Sequence, residues 1–313
     1  MSEFEGTKKS NDYSLGENSF AAKRIESGLY IVSTPIGNLG DITIRALETL
    51  AASDLIACED TRVTGGLLHR FGIKTKMMIY NEHNSDKQRP HILEALENGK
   101  VVSLVSDAGT PLISDPGYRL VNDIVENGHR VFPIPGASAM LTGLVGSGLP
   151  SDAILFAGFL PQKSSGRKKR LDELKDMEST LVFYESPHRI GACLKDMEEA
   201  FGADRKAVVA RELTKRFETF ERGTLGTLSE QFSKDRTKGE IVILIAPGQA
   251  QLPDSTDADR LLKEALTQMP VSTAAKKISK LTGVDRKTLY ARALEFRDKL
   301  NAPSPHNHTQ PKD

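Results

Sequence analysis

The chain is poor in cysteine: Cys58 and Cys193 are its two, far apart in 313 residues. That excludes a disulfide framework and a CxxC redox or metal site, and it favours a reducing, cytoplasmic compartment. An excess of charge of one sign is also missing, since 42 Lys and Arg balance 42 Asp and Glu. Any contact with nucleic acid must therefore rest on local patches. No apolar run approaches the length of a membrane span, and MSEFEGTKKSNDYSLGENSF at the start lacks the apolar core of a signal peptide. Neither secretion nor membrane insertion is expected. No GxGxxG follows an apolar run and no GxxxxGK[ST] occurs, so neither a dinucleotide fingerprint nor a P-loop is available.

What is present is a repeating alternation of short apolar runs with helical patterns. Residues 1–27 are polar and poor in large aliphatics, as expected of a disordered lead-in. From Leu29 come LYIVSTP, DLIAC, MMIY, VVSLVS and RVFPIP, each the length of a buried strand, and together they predict an α/β domain over residues 28–150. The small-residue stretch PGASAMLTGLVGSGLP is expected to close it. AILFAG, TLVFYES, KAVVARE and EIVILIAPG repeat the pattern and predict a second α/β domain over residues 151–248. QAQLPDST reads as a linker. Residues 257–300 predict a helix-turn-helix shape in which Gly283 ends one helix and Asp285 caps the next, with Ile278, Leu281, Val284, Leu289 and Leu294 as its core. The tail, residues 301–313, has nothing to pack and is expected to be disordered.

Four loops follow strands of the first series: STPIGNL, EDTR, SDAGTP and PIPGASA. If those strands are parallel, the loops share one rim, where open α/β sheets bind ligands. The sharpest is residues 101–111, VVSLVSDAGTP, in which an apolar strand breaks at once into a small-residue turn. Gly109 permits close backbone approach, while Asp107 and Thr110 offer polar groups. Taken alone, such a turn is better explained by the needs of its own geometry.

In order along the chain, TPIGNLGDITIRA, CEDTR, SDAGTPLISDPG, PIPGAS, GFLP, YESPHR and ARELTK closely resemble the motifs of ribosomal RNA methyltransferases in the tetrapyrrole methylase superfamily. The resemblance covers residues 28–248. It implies a two-lobed α/β fold with a small C-terminal helical domain, a homodimer, and S-adenosylmethionine as methyl donor bound between the lobes. The implied reaction is 2′-O-methylation of a cytidine in the decoding region of 16S ribosomal RNA. Carried over residue by residue, the donor-binding positions are Pro35, Gly37, Asn38 and Leu39, then Asp107, Ala108, Gly109, Thr110 and Pro111, then Pro135, Gly136, Ala137 and Ser138.

Methyl transfer needs the nucleophilic oxygen aligned with the donor, and a group that takes its proton assists. Charged residues at predicted strand ends are the candidates: Glu59, Asp60 and Arg62; Glu185, His188 and Arg189; Arg211, Glu212 and Lys215. Ion pairs holding strand ends would account for Glu185 with Arg189 and for Arg211 with Glu212. Lys215, if desolvated, is a candidate neutral base, and Arg62 a candidate phosphate ligand. KSSGRKKRLDELK offers Lys163, Arg167, Lys168, Lys169 and Arg170 as contacts to RNA within the small ribosomal subunit. A small-molecule methyltransferase and a helix-turn-helix nucleic-acid-binding regulator are the rival readings. YESPHR and the basic run weigh against the first, and the four strand-end loops against the second.

Overall fold

A computed structural model describes residues 11–234, 237–248 and 255–300, and among these the chain divides after Gly248 into two compact units. The first unit opens with a hairpin, β1 (Asp12–Leu15) and β2 (Asn18–Ala21). This corrects the expectation of a disordered lead-in for its described part, residues 11–27. Tyr13 is buried in the core beneath the hairpin, and the Ser14 amide donates to the Phe71 carbonyl at 2.7 Å. Residues 1–10, like the tail 301–313, lie outside the described residues.

Next come β3 (Gly28–Val32), α1 (Ile44–Ala52), β4 (Leu55–Cys58), α2 (Thr61–Arg70), β5 (Met77–Ile79), α3 (Ser85–Glu97), β6 (Val101–Val105), α4 (Tyr118–Glu126) and β7 (Val131–Ile134). The strands form one sheet in the order β5-β4-β6-β3-β7, and every pairing in it is parallel. Both faces are covered. Tyr30, Val32, Ile56, Cys58, Val101 and Val105 share a core with residues of α1 and α2, whereas Leu29, Ile31, Ala57, Val102 and Leu104 share one with residues of α3 and α4. A strand buried on both faces has no reason to alternate with polar residues, which is why β3 and β6 read as continuous apolar runs.

The helix α5 (Ala139–Ser147) was expected to close this domain, yet it packs on the second sheet. Leu144, with Ala139 and Met140, meets Val182, Val208, Val242 and Leu244. That sheet is built from β8 (Ile154–Phe159), β9 (Thr180–Glu185), β10 (Lys206–Arg211), β11 (Thr219–Thr224) and β12 (Ile241–Ile245), in the order β11-β10-β12-β9-β8. Only β8 and β9 pair in parallel; the rest are antiparallel. Its far face is covered by α6 (Ser164–Leu174), α7 (Ile190–Phe201) and α8 (Leu225–Lys234). The two sheets thus belong to a single compact unit, joined through α5.

The second unit holds α9 (Ser255–Leu266), α10 (Val271–Thr282) and α11 (Arg286–Leu300) around a core of Leu262, Ala274, Ala275, Ile278 and Leu289. Gly283, in the left-handed region at φ 69°, ends α10, and the Asp285 carboxylate accepts the Lys287 and Thr288 amides at 3.0 and 3.1 Å. Leu281, expected in this core, is 55% exposed. The expected linker lies partly outside the described residues, and α9 begins at its far end.

Candidate active site

Because the first sheet is wholly parallel, the loops after β3, β4, β6 and β7 emerge along one rim. Three of them are stitched together. Thr34 and Gly109 form an isolated antiparallel bridge, the Thr34 amide donating to the Gly109 carbonyl at 2.8 Å and the Gly109 amide to the Thr34 carbonyl at 3.1 Å. The hydroxyls of Ser33 and Thr110 lie 3.0 Å apart, and Thr110 donates to the Ala137 carbonyl at 3.1 Å. Gly109 has φ 81°, a conformation costly for any residue with a Cβ. A Cβ on Gly136 would come within 2.8 Å of the Ser33 Cβ, so small residues here are what lets the loops close ranks.

Between this rim and the second sheet lies a cleft of about 480 Å³, adjoined by a smaller one of about 370 Å³ that shares Ile36, Asp107, Ala108 and Glu240 in its lining. Gly109, Thr110 and Ser138 line the larger part; Pro35, Gly37 and Leu39 line the smaller. Asn38 turns its side chain to the Gly40 amide and caps a short 3-10 turn. Pro111 is buried, while Pro135, Gly136 and Ala137 shape the third loop behind Ser138. Among the described residues, four that are not glycine occupy the left-handed region, Leu112, Ser114, Glu212 and Thr214, and of these Ser114 lines the cleft. Strained backbone of this kind persists where the surroundings fix it, and it clusters at functional sites.

The cleft is acidic. Glu59, Asp107 and Asp115 all line it. Burial raises the pKa of each: the charges of Asp107 and Asp115 lift Glu59 further, and that of Asp107 lifts Asp115. Asp107 also accepts the Asp60 amide at 3.2 Å. Sequence reasoning placed Glu59 among the charged candidates but passed over Asp115, the aspartate of SDPG, and Tyr184 and Phe159 on the facing sheet. The mutual approach of the carboxylates is set by strand order, which the sequence does not display.

The charged candidates separate on contact. Glu185 is buried at the end of β9 and faces the cleft; its Oε1 accepts the Ser186 amide at 2.7 Å and its Oε2 lies 3.2 Å from Arg189. Arg189 also donates to the Leu160 carbonyl at 2.9 Å, which ties it to the chain beyond β8. Arg211 is directed at the Thr219 hydroxyl. Lys215 lies across Gly37 and pairs with Glu212 at 2.9 Å and Glu240 at 3.2 Å. Burial pulls the Lys215 pKa down, but the two carboxylates outweigh it and the net direction is upward. The expected neutral base is therefore corrected: Lys215 is held as a cation.

Arg62 is exposed and paired with Asp60, whose carboxyl these hydrogen bonds hold down at about 2. On α6 a second correction applies. Arg167 is buried with its Nε 2.6 Å from Asp196 and cannot present itself to RNA. Lys168 pairs with Glu199 and Arg170 with Glu173, while Lys163 and Lys169 are exposed.

The family model for tetrapyrrole (corrin/porphyrin) methylases matches residues 28–229, from β3 into the first half of α8. A protein of Mesorhizobium japonicum described as ribosomal RNA small subunit methyltransferase I is 51% identical over 285 residues, covering 91% of this chain and 97% of its own. The chain belongs to the tetrapyrrole methylase family, in its ribosomal RNA small subunit methyltransferase I branch. The Vibrio cholerae protein of that description is 47% identical, covering 85% of this chain and 94% of its own. A model described as the RsmI C-terminal HTH domain matches residues 253–297, the helical unit. Among solved structures, a cobalt precorrin-4 methyltransferase is 16% identical with a TM-score of 0.54, covering 70% of this chain and 94% of its own. A Thermus thermophilus uroporphyrin-III C-methyltransferase complexed with S-adenosyl homocysteine is also 16% identical, with a TM-score of 0.50 and coverage of 69% and 96%. At that identity they attest the shared fold of this methylase family. Among the described residues no helix is long and apolar enough to cross a membrane, and no His, Cys, Asp and Glu cluster is placed to hold a metal.

Proposed function

We propose that this protein is a cytoplasmic, homodimeric S-adenosylmethionine-dependent methyltransferase that methylates the ribose 2′ oxygen of a cytidine in the decoding region of 16S ribosomal RNA, within the small ribosomal subunit. The observation that carries the proposal is near full-length similarity to proteins described as small-subunit ribosomal RNA methyltransferases, together with a cleft whose chemistry suits the donor. Its carboxylates, Glu59, Asp107 and Asp115, complement a ligand carrying a sulfonium and an ammonium group. Small residues at Ala108 and Gly109 keep side-chain bulk out of the space it would fill.

The residues that would hold the donor are Pro35, Gly37 and Leu39 on one side and Asp107, Ala108, Gly109, Thr110 and Ser138 on the other. When bound, it supplies an electrophilic methyl group on sulfur. The chain's part is to align an acceptor oxygen and to receive its proton as the new C–O bond forms and the S–C bond breaks. A carboxylate made more basic by burial is suited to that proton, and Asp115 on the cleft wall is such a group. Glu185, Arg189, Arg211 and Glu212 serve here as positioning residues, fixing the far wall through the contacts described above. Lys215, as a cation, neutralises Glu212 and Glu240 over the Gly37 loop. The test is transfer of labelled methyl from S-adenosylmethionine to small subunits that lack the modification, followed by nuclease mapping. Label on one ribose of a decoding-region cytidine is expected; label on a base overturns the 2′-hydroxyl chemistry.

A further inference from the structure

The far wall of the cleft carries an aromatic residue where an unbroken strand would not put one. Along β8, Leu155 and Ala157 pack on the helix-covered face of the second sheet, while Phe156 belongs to the face turned toward the cleft. Strict alternation would send residue 159 to the helix side with Leu155 and Ala157. The register slips instead: Phe156 pairs with Val182, Gly158 with Phe183, and Phe159 with Tyr184. One residue is thus extra, and Gly158 takes up the bulge at φ 63°. The outcome is that Phe159 shares Tyr184 with Phe156, their ring centroids lying 5.6 and 4.9 Å from the Tyr184 ring.

Phe159 nevertheless remains 58% exposed at the cleft's edge. Tyr184 is anchored behind it, accepting the Met140 amide at 3.1 Å. A bulge that moves an apolar ring from a core face to a half-exposed position has no packing gain to account for it. A ring packed at 66° against a fixed tyrosine and more than half exposed beside an acidic methyl-donor cleft has the form of a stacking platform.

We infer that Phe159 receives the nucleobase of the target nucleotide, stacked on its exposed ring, so that the attached ribose is directed toward the rim of the first sheet. The inference rests on the RNA reading of the cleft given above. It makes Phe159 a substrate-positioning residue contributed by the second sheet, opposite the donor loops of the first.

The test compares F159L, which keeps apolar bulk but loses the π face, with F159Y and F159W, which keep it. Methyl transfer to unmodified small subunits is followed at saturating donor. Loss of one stacked base is expected to raise KM for the subunits roughly 5- to 100-fold with kcat nearly unchanged. F159Y and F159W are expected to stay within about three-fold of the parent, since stacking tolerates any aromatic face. Affinity for S-adenosylhomocysteine, measured by calorimetry, is expected to be the same in all three. If F159L has the parent's KM while the parent labels subunits, the inference is overturned and the RNA reading stands. If the parent labels no subunits, the RNA reading falls and the inference with it. If F159L changes the oligomeric state at unchanged KM, Phe159 is a contact between copies and the inference is overturned.

Discussion

Replacing Arg167 by methionine separates a structural role from an RNA-binding one. Arg167 and Asp196 are 5% and 8% exposed at their side chains and meet at 2.6 Å. Arg167 also donates to the Gln162 carbonyl at 3.2 Å, so it pins the approach to α6 onto α7. Removing one partner of a buried pair leaves the other charge uncompensated, at a cost of about 3–5 kcal/mol. Asp196 keeps the Ser164 hydroxyl at 3.0 Å and has Lys168 at 3.7 Å, close enough to swing in. The lower end, about 3 kcal/mol, is therefore expected, or a fall in Tm of roughly 6–12 °C for a unit of this size. Urea denaturation followed by circular dichroism measures it. The double variant R167M/D196L should be less destabilised than the sum of its singles by about 2 kcal/mol, because it leaves no buried charge. Exposed Lys169 is the control: K169A should change stability by under about 0.5 kcal/mol. A wild-type denaturation midpoint for R167M, with weakened binding of small subunits, would refute the assignment.

Other outcomes follow from the cleft. G136A must push the Ser33 Cβ away from its 2.8 Å approach, and because Ser33 is tied to Thr110, donor affinity should fall by at least about ten-fold at an overpacking cost of about 1–3 kcal/mol; unchanged donor affinity by calorimetry would contradict the stitched-loop account. Glu59, Asp107 and Asp115 have raised pKa values, so the folded chain without donor holds protons that the unfolded chain has released. Its stability should therefore fall as pH rises through those raised values, and D115N should stabilise it at pH 7 with the gain vanishing below about pH 4. The same variant should weaken donor binding at neutral pH, and a D115N protein that binds donor as well as the parent would remove Asp115 from the site. For Lys215 the slope has the same sign but falls at far higher pH. Its raised pKa means the stability drawn from Glu212 and Glu240 is complete below the ordinary value of 10.5 and is lost only as pH rises above it. Activity between pH 8 and 9.5 should thus show no ionisation of Lys215, and a K215M variant with an altered limb in that range would contradict this.

The first sheet was legible because parallel strands covered on both faces leave uninterrupted apolar runs, and the four strand-end loops fell where those runs stopped. The antiparallel edge strand β11, TFERGT, was not, since an edge strand with few buried positions carries no such run. The hairpin β1–β2 escaped for a related reason: of its strand residues Tyr13 alone is buried, so no apolar run marks it. The strand-end loops could be read from motifs, whereas the partners of charged residues could not. Arg167 looks like one of a basic run until Asp196, 29 residues on, is seen beside it. Lys215 looks free to lose its proton until Glu212 and Glu240 close around it. Phe159 is hidden more deeply, because a single bulge reverses the face on which alternation would put it.

The 2′-O-methylation is tested by incubating the purified protein with labelled S-adenosylmethionine and small ribosomal subunits lacking the modification, then locating the label by nuclease digestion and mass spectrometry. One methyl group per subunit on the 2′ oxygen of a decoding-region cytidine is the predicted result. Tight donor binding with no transfer to the subunits, but transfer to a tetrapyrrole, would contradict it.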